Sequence, residues 1–188
     1  MTTNTQMIAG SIGAIARQQG QAIAVSFISA EIIAVVDVSG SMDSHDARDH
    51  QSRYEVACQE LATLQRQHPG EMAMVSFSNG AQFCPGGVPI YEGGGTDLTG
   101  ALKFVKVADG TVRFMVISDG RPDNEETALA VARKFISRID TVYVGPEGGN
   151  GADFLQQLSS VAGGQHVTTD VNLLCGQVER LMLTEHAD

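Results

Sequence analysis

The sequence predicts a doubly wound α/β fold, with a central and mostly parallel sheet, one short antiparallel edge strand and helices on both faces. Apolar runs of strand length alternate with stretches of helical period, which is typical of a parallel sheet covered by helices. The 188 residues are enough for one well-buried core and marginal for two. We therefore expect one domain over residues 30–188, preceded by an N-terminal segment of residues 1–29.

The N-terminal segment contains an apolar stretch from Ile8 to Ile15 that polar residues from Arg17 onward interrupt. It has no basic leader and no run long enough to span a bilayer, so neither a signal peptide nor a membrane anchor is expected. A short helix is the remaining interpretation. It could pack on the domain or dock on a partner, and packing is favoured.

The first strand and helix have clear signals. Glu31 to Asp37 contains a continuous apolar run that is mostly β-branched, typical of a central strand buried on both sides. Ser52 and Glu55 have the spacing of a capping box, and the helix that they open is amphipathic and ends near Pro69.

The middle of the chain predicts a hairpin and then a glycine-rich loop. Met72 to Phe77 forms a strand, and after a turn Ala81 to Cys84 pairs with it as the antiparallel edge strand. A glycine-rich loop over residues 86–95 then leads to Thr96 and Asp97, at the start of a helix that runs to about Val107. Either Thr96 or Asp97 is expected to cap this helix.

The second half repeats the strand and helix alternation. A capping box of Asp123 and Glu126 is expected to open the helix after the third core strand. The predicted elements are strands at Val112 to Ser118, Ile139 to Val144 and Gln165 to Thr168, and helices at Ala152 to Val161 and Val171 to Met182.

The charge and the cysteines exclude several classes of function. The formal net charge of −10 argues against binding to nucleic acid or to an anionic membrane, which require clustered positive charge. Cys58, Cys84 and Cys175 are far apart and form no CxxC pair, so neither a zinc knuckle nor a disulfide framework is indicated. We expect a cytoplasmic protein in a reducing compartment.

Polar side chains follow the predicted strands at one edge of the sheet. In open parallel sheets, ligands bind outside the carboxyl ends of strands where the strand order reverses. Asp37 ends the first strand, and Ser39 and Ser41 follow it at a spacing of two residues. Thr96 and Asp119 also fall in loops at this edge, so we expect all five side chains to be neighbours.

These side chains are oxygen donors of the kind that magnesium accepts. Asp37 and Asp119 would about neutralise a divalent ion, and Ser39, Ser41 and Thr96 would add uncharged oxygens. An ion held in this way stays electrophilic, so an Asp or Glu of a partner protein can fill an open coordination position. We expect Mg²⁺, with Mn²⁺ or Ca²⁺ as alternatives.

The motifs Asp37-x-Ser39-x-Ser41, Gly-Gly-Gly-Thr96-Asp97 and Ile-Ser-Asp119-Gly together resemble the complete metal-ion-dependent adhesion site of the von Willebrand factor A family. The resemblance covers about Glu31 to Thr168 and implies the Rossmann-like fold of that family. It implies direct metal coordination by the two serines and the threonine, and coordination by the aspartates directly or through water.

The resemblance to small bacterial and phage-type intracellular members implies an adaptor or subunit of an intracellular complex, with a partner such as an AAA-plus ATPase. The residues expected on the partner-binding rim of the site are Met42, His45, Asp46, His50, Gly95, Asp97 and Arg121.

Two weaker site hypotheses concern the same edge. The loop from Asp43 to His50 could hold a second metal through His45, Asp46, Asp49 and His50, although a solvated loop is favoured. The run Gly93 to Gly95 lacks the following Gly-Lys-Ser/Thr of a nucleotide-binding loop, so flexibility near Thr96 is its better explanation.

Catalysis is not expected. An aspartyl-phosphate hydrolase needs a second aspartate two residues after the first, and Ser39 occupies that position. The chain also lacks a Gly-x-Ser-x-Gly elbow. Two alternatives stay open beside the protein-binding module: a structural component of a larger particle whose metal only staples loops, and a metal-assisted hydrolase with Asp37 or Asp119 as base.

Overall fold

The computed structural model describes residues 7–28 and 30–184. Its strands are β1 (Ile32–Asp37), β2 (Met72–Phe77), β3 (Ala81–Phe83), β4 (Arg113–Ser118), β5 (Ile139–Tyr143) and β6 (His166–Thr168). They form one sheet in the order β3-β2-β1-β4-β5-β6, in which only the β2–β3 pair is antiparallel. The predicted mixed sheet with an antiparallel edge strand is confirmed.

Helices cover both faces of this sheet. They are α1 (Ile12–Gln19), α2 (Ile23–Ile28), α3 (Arg53–Gln67), α4 (Leu98–Val105), α5 (Glu125–Ala132), α6 (Gly151–Val161) and α7 (Leu174–Leu183). The core on one face is built with α4, α5 and α6, and the core on the other face with α3 and α7. This is the doubly wound arrangement that the sequence predicts.

Strand β1 occupies the centre because both of its faces are covered. Ile33 and Val35 enter one core, and Ile32, Ala34 and Val36 enter the other, as alternating side chains of a strand must. All six residues of β1 are buried. The chain winds outward from β1 through β2 on one side and from β4 through β5 on the other. The carboxyl ends of β1 and β4 therefore flank the crevice where the strand order reverses.

The described part of the N-terminal segment is helical and lies against the domain. Ser11 caps α1, and the side chains of Ile12 and Ala16 are buried. The amide of Gly13 donates to the carbonyl of Pro85, which follows β3. Residues 1–6 and residue 29 of this segment lie outside the described residues. Within residues 7–28 and 30–184, no helix combines the length and apolar character needed to cross a bilayer.

Of the predicted helix caps, those of α3 and α4 are confirmed and that of α5 is wrong. Ser52 and Glu55 form the expected capping box, and Asp97 caps α4 by accepting from the amide of Gly100. The cap of α5 is Asn124, and the predicted Asp123 is wrong. Asp123 is not free to cap the helix because its Oδ1 accepts from the amide of Thr96 at 3.1 Å.

Candidate metal centre

The carboxylate of Asp37 is held at the end of β1 with both oxygens engaged. Its Oδ1 accepts from the amide of Ser39 at 2.8 Å, and its Oδ2 accepts from the hydroxyl of Ser118 at 2.6 Å. The residue is fully buried. Burial raises the pKa of Asp37, although the hydrogen bonds from Ser118 and Ser39 oppose that rise. A positive charge near this carboxylate would stabilise its ionised form.

The two serines bring hydroxyl oxygens next to the second aspartate. Ser39 Oγ lies 3.2 Å from Ser41 Oγ, and Ser41 Oγ donates to Asp119 Oδ1 at 2.6 Å. Ligands at ~2.1 Å from an octahedral ion are separated by about 3.0 Å along each edge. The observed separations are close to that edge length. Ser39 is buried while Ser41 is exposed, so the cluster opens to the surface at Ser41.

Thr96 is positioned by the backbone of its loop. The carbonyl of Gly94 accepts from the amide of Gly40 at 3.2 Å, which ties the glycine loop to the loop after β1. The amide of Thr96 donates to Asp123. The structure therefore joins Asp37, Ser39, Ser41 and Asp119 through side-chain or local hydrogen bonds, and brings the loop of Thr96 against them.

Arg53, at the start of α3, is a site residue that the sequence analysis missed. Its Nη1 donates to Asp119 Oδ2 at 2.6 Å, its Nε donates to Asp46 Oδ1 at 2.8 Å, and its Nη2 pairs with Asp46 Oδ2. The hydrogen bond to Asp46 raises the pKa of Arg53, and the same bond lowers the pKa of Asp46. A cation in the first turn of a helix is unfavourable because it opposes the helix dipole. The position of Arg53 directly after the cap Ser52 is therefore a sequence feature that could have indicated a role in the site.

The charges of this network fit a hard divalent cation. The Arg53 guanidinium contacts the carboxylates of Asp46 and Asp119, and the Asp37 carboxylate belongs to the same hydrogen-bonded group through Ser39 and Ser41. With all three carboxylates ionised, this group has a formal net charge of −2. Because the Asp46 side chain is 52% exposed, the buried part of the group has a formal charge of −1. The Asp119 side chain is 0% exposed and that of Arg53 is 10% exposed. Buried charge of one sign is costly unless it is compensated. A doubly charged ion among these oxygens would neutralise the cluster.

The loop after the first motif differs from the sequence expectation. Met42 is wrong as a rim residue because its side chain is 0% exposed and packs in the core under α3. His45 is exposed, and its Nδ1 lies 2.9 Å from the carbonyl of His50. The Asp46 carboxylate pairs with Arg53.

The hypothetical second metal site of this loop is not assembled. Over residues 7–28 and 30–184, no group of three or more His, Cys, Asp or Glu side chains is placed to hold a metal ion. The candidate centre at Asp37 and Asp119 differs from such a His, Cys, Asp or Glu cluster, because most of its donors are the hydroxyls of serine and threonine.

The remaining rim residues surround the site but have local partners. Gly95 donates its amide to Asn79 Oδ1, and Asp97 caps α4. Arg121 donates to the carbonyl of Asn150 and forms an exposed ion pair with Glu125. Of these side chains, that of Arg121 is the most accessible to a partner, since it is half exposed.

A cleft of about 410 Å³ adjoins the centre. Asp46 and Arg53 form one wall, and the segments that follow β5 and β6, including Gly145 and Asp170, form the other. Because Arg53 contacts both Asp119 and this cleft, the two features share a wall.

Solved structures of von Willebrand factor A type have the same fold. An aerotolerance-related membrane protein from Bacteroides fragilis, with multiple mutations to serines, matches with a TM-score of 0.63 and 18% identity over 82% of this chain and 99% of that chain. A von Willebrand factor type A protein from Catenulispora acidiphila matches with a TM-score of 0.59 and 13% identity, over 80% of this chain and 41% of that chain.

The manganese-loaded TRAP protein of Plasmodium vivax matches with a TM-score of 0.54 and 17% identity, over 81% of this chain and 73% of that chain. No protein-family model matches the sequence, and no curated protein matches it. The chain therefore has the Rossmann-like fold of von Willebrand factor A-type domains.

Proposed function

We propose that this chain, which has the von Willebrand factor A-type fold, holds one divalent cation and uses it to bind an Asp or Glu of a partner protein. Asp37, Ser39, Ser41, Thr96 and Asp119 would hold the ion. The observation that carries the proposal is that the Ser41 hydroxyl lies 3.2 Å from the Ser39 hydroxyl and 2.6 Å from Asp119 Oδ1. These oxygens belong to a hydrogen-bonded group that also holds the buried Asp37 carboxylate, and the group has a formal charge of −2 when its three carboxylates are ionised. Hard oxygen donors in this geometry favour Mg²⁺, with Mn²⁺ or Ca²⁺ as alternatives.

The donor set favours a carboxylate as the partner group. Three of the five donors are uncharged hydroxyls, which leave a bound cation electrophilic toward an incoming anion. Ser41 is exposed, so the centre opens toward solvent on its side. The cleft beside Arg53 offers room for the partner residues that flank the carboxylate. A manganese-loaded protein is among the solved structures that share the fold.

A binding role is favoured over a catalytic one. Both oxygens of Asp37 and both oxygens of Asp119 already accept hydrogen bonds from protein groups. Carboxylates held in this way are better suited to retaining a cation than to removing a proton from water. An adaptor or subunit role in an intracellular complex, for example beside an AAA-plus ATPase, completes the proposal. The resemblance of the three sequence motifs is what supports that part.

Titration with Mn²⁺, followed by electron paramagnetic resonance, tests the metal centre. We expect one bound ion per chain, and we expect water proton relaxation to show at least one exchangeable water on that ion. Ser41→Ala should weaken Mn²⁺ binding about tenfold or more. Ser44→Ala, a serine in the same loop outside the oxygen cluster, is the matched control and should bind as the wild type does. Equal binding by the two variants would contradict the proposed centre.

The stabilisation by metal gives a second measurement. A ligand at ~100 times its Kd stabilises the folded state by about 2.7 kcal/mol. For a domain of this size, that corresponds to a rise in Tm of roughly 5–11 °C. Mg²⁺ should produce this rise in the wild type and in Ser44→Ala, and EDTA should reverse it.

Partner capture from the native cell extract tests the binding role. A protein retained by the wild type with Mg²⁺, and lost with EDTA or with Ser41→Ala, would be the expected partner. Replacement of one Asp or Glu in that partner by Ala should abolish the capture. A partner retained equally with EDTA would favour a scaffold in which the metal only staples loops.

A further inference from the structure

The cationic side chains of this acidic chain are concentrated at one place. Its three lysines, Lys103, Lys106 and Lys134, lie in two short segments at the ends of α4 and α5. The segments 103–110 and 133–138 contain five Lys or Arg residues and one Asp, a net charge of +4. The other residues contain seven Lys or Arg and 21 Asp or Glu, a net charge of −14. Lys106 pairs with Asp109 and Arg138 pairs with Asp140, so the exposed cations of these segments are Lys103, Arg133 and Lys134, in an otherwise acidic protein.

Three exposed apolar side chains lie among these cations. Phe104 is 43% exposed, Val107 is 77% exposed and Ile136 is 86% exposed. Phe104 and Val107 are three residues apart in one helical stretch, so they share a face. Single exposed apolar residues are common, whereas adjacent ones surrounded by polar groups mark interaction surfaces.

The two segments are fastened together by Asp109, whose side chain is only 8% exposed. Its carboxylate accepts from the amide of Ile136 at 3.0 Å and from the amide of Ser137 at 2.9 Å. Lys106 Nζ donates to Asp109 at 2.8 Å and to the carbonyl of Lys134 at 2.7 Å. Ile136 is therefore held in an outward position by hydrogen bonds of its own backbone.

We define the basic–apolar patch as the exposed Phe104, Val107 and Ile136 with the exposed cations Lys103, Arg133 and Lys134. It lies at the amino edge of the sheet, since residues 109–110 precede β4 and residues 136–138 precede β5. The candidate metal centre lies at the carboxyl edge. A partner at the patch therefore does not compete with one at the metal.

We propose that the basic–apolar patch binds an acidic segment of a partner protein, in which Asp or Glu residues flank an apolar side chain. Charge complementarity selects this occupant, because the exposed Lys103 is next to Phe104 in the chain, the exposed Arg133 and Lys134 are within three residues of Ile136, and Asp109, the one acidic residue of the two segments, is already paired. The apolar residue of the segment would pack on Val107 and Ile136 while its carboxylates meet the cations. The chain would then carry two separate binding surfaces, as an adaptor needs.

A defined peptide set tests this proposal without knowledge of the partner. The probes are fluorescein-labelled 15-residue peptides in which Asp and Glu flank Leu, Ile or Phe, and matched peptides in which Lys replaces each acid. Fluorescence anisotropy in the presence of EDTA should show binding of acidic peptides at least about tenfold tighter than binding of their Lys counterparts. Methyl NMR signals of Val107 and Ile136 should shift on binding.

Two variants at the patch and one control localise the binding. Ile136→Ser should weaken peptide binding about tenfold. Lys103→Glu combined with Lys134→Glu should weaken it further, and added salt should no longer weaken the binding that remains, because salt now screens repulsion. Leu173→Ser removes another exposed apolar side chain, 60% exposed and outside the patch, and should change nothing. All these positions are exposed, and thermal melts verify that each variant folds.

Three results would overturn the proposal. The first is equal affinity for acidic and basic peptides, or affinity unchanged by the patch variants. The second is sedimentation of the wild type as a dimer that Ile136→Ser dissociates, which would make a second copy of the chain the occupant. The third is binding to vesicles with anionic lipid, abolished by the Lys103 and Lys134 variants, in the absence of peptide binding. Ser41→Ala should leave peptide binding intact, so failure of the metal centre and failure of this proposal are distinguishable.

Discussion

Replacement of Arg53 by Met tests whether the candidate centre is a charged network that a divalent ion completes. Met keeps most of the apolar stem and removes the guanidinium. Asp119, whose side chain is 0% exposed, then loses its only cationic partner among the described residues and keeps the hydrogen bond from Ser41. Asp46, whose side chain is 52% exposed, is released to solvent.

The loss of unfolding free energy expected in Arg53→Met depends on how deeply the Asp119 and Asp46 carboxylates are buried. Removing one partner of a buried ion pair costs about 3–5 kcal/mol, while an exposed pair contributes about 0–1 kcal/mol. Since Asp119 retains Ser41, we take about 3 kcal/mol for the loss, nearly all of it from Asp119. For a chain of this length, that loss lowers Tm by roughly 6–12 °C.

Divalent metal should reverse much of this loss. A bound Mg²⁺ would supply the positive charge that Arg53 no longer provides, so the rise in Tm on adding Mg²⁺ should be larger in Arg53→Met than in the wild type. Mg²⁺ should also bind the variant about tenfold tighter, because repulsion between Arg53 and the ion is removed.

The assay is thermal and urea unfolding, monitored by circular dichroism, with EDTA and with Mg²⁺. Arg48→Met is the matched control, since Arg48 pairs with Glu60 at 2.8 Å, the two side chains are 38% and 14% exposed, and Glu60 keeps a hydrogen bond from the amide of Cys175. Its cost should stay below that of Arg53→Met, at about 1–2 kcal/mol, and should not depend on metal. Equal costs for the two variants in EDTA, or equal gains from Mg²⁺ in Arg53→Met and wild type, would refute the proposed network.

Two further variants probe the rest of the molecule. Asp109→Asn removes the ion pair with Lys106 and should lower the free energy of unfolding by about 1–3 kcal/mol. Burial alone would raise the pKa of Asp109, but the hydrogen bonds from Lys106 and two amides hold it below the ordinary value of 3.8. The contribution of the Asp109 carboxylate to the free energy of unfolding is therefore complete above pH 3.8 and is lost as the pH falls below that value. Urea titrations should show the difference in unfolding free energy between wild type and Asp109→Asn closing only in that acid range. Gly94→Ala should weaken the rise in Tm on adding Mg²⁺, because Gly94 has φ +87° and a Cβ there would clash with the Asn79 amide. Gly93→Ala is the control, since Gly93 has φ +66° and a Cβ there would have no contact closer than 3.5 Å. It should keep the rise in Tm.

Much of the fold could be predicted because its signals are local. The run Ile32 to Val36 of β1 is wholly apolar and mostly β-branched, which is typical of a central strand covered on both faces. The turn after Phe77 and the capping box of Ser52 likewise depend on residues a few positions apart. These patterns predicted the sheet, its antiparallel edge strand and the helices, and they placed the site loops at one edge.

Individual side chains inside the site were harder to predict. Met42 lies in a polar stretch of the sequence, which predicts an exposed loop residue. In the structure, the short helical turn Gly40–Asp43 places its side chain in the core under α3. Asp123 has the spacing of a helix cap, yet Thr96 takes its carboxylate and Asn124 caps the helix. In each case a tertiary contact outweighed a local preference.

The sequence by itself determined which elements form and which oxygen-bearing residues end them, because strand and cap propensities act over a few neighbouring positions. Only the tertiary structure decided that Arg53 reaches Asp119, 66 positions away, and that Lys106 joins Lys134 beside an outward-facing Ile136. Such contacts depend on how distant segments pack, and no spacing along the chain encodes them.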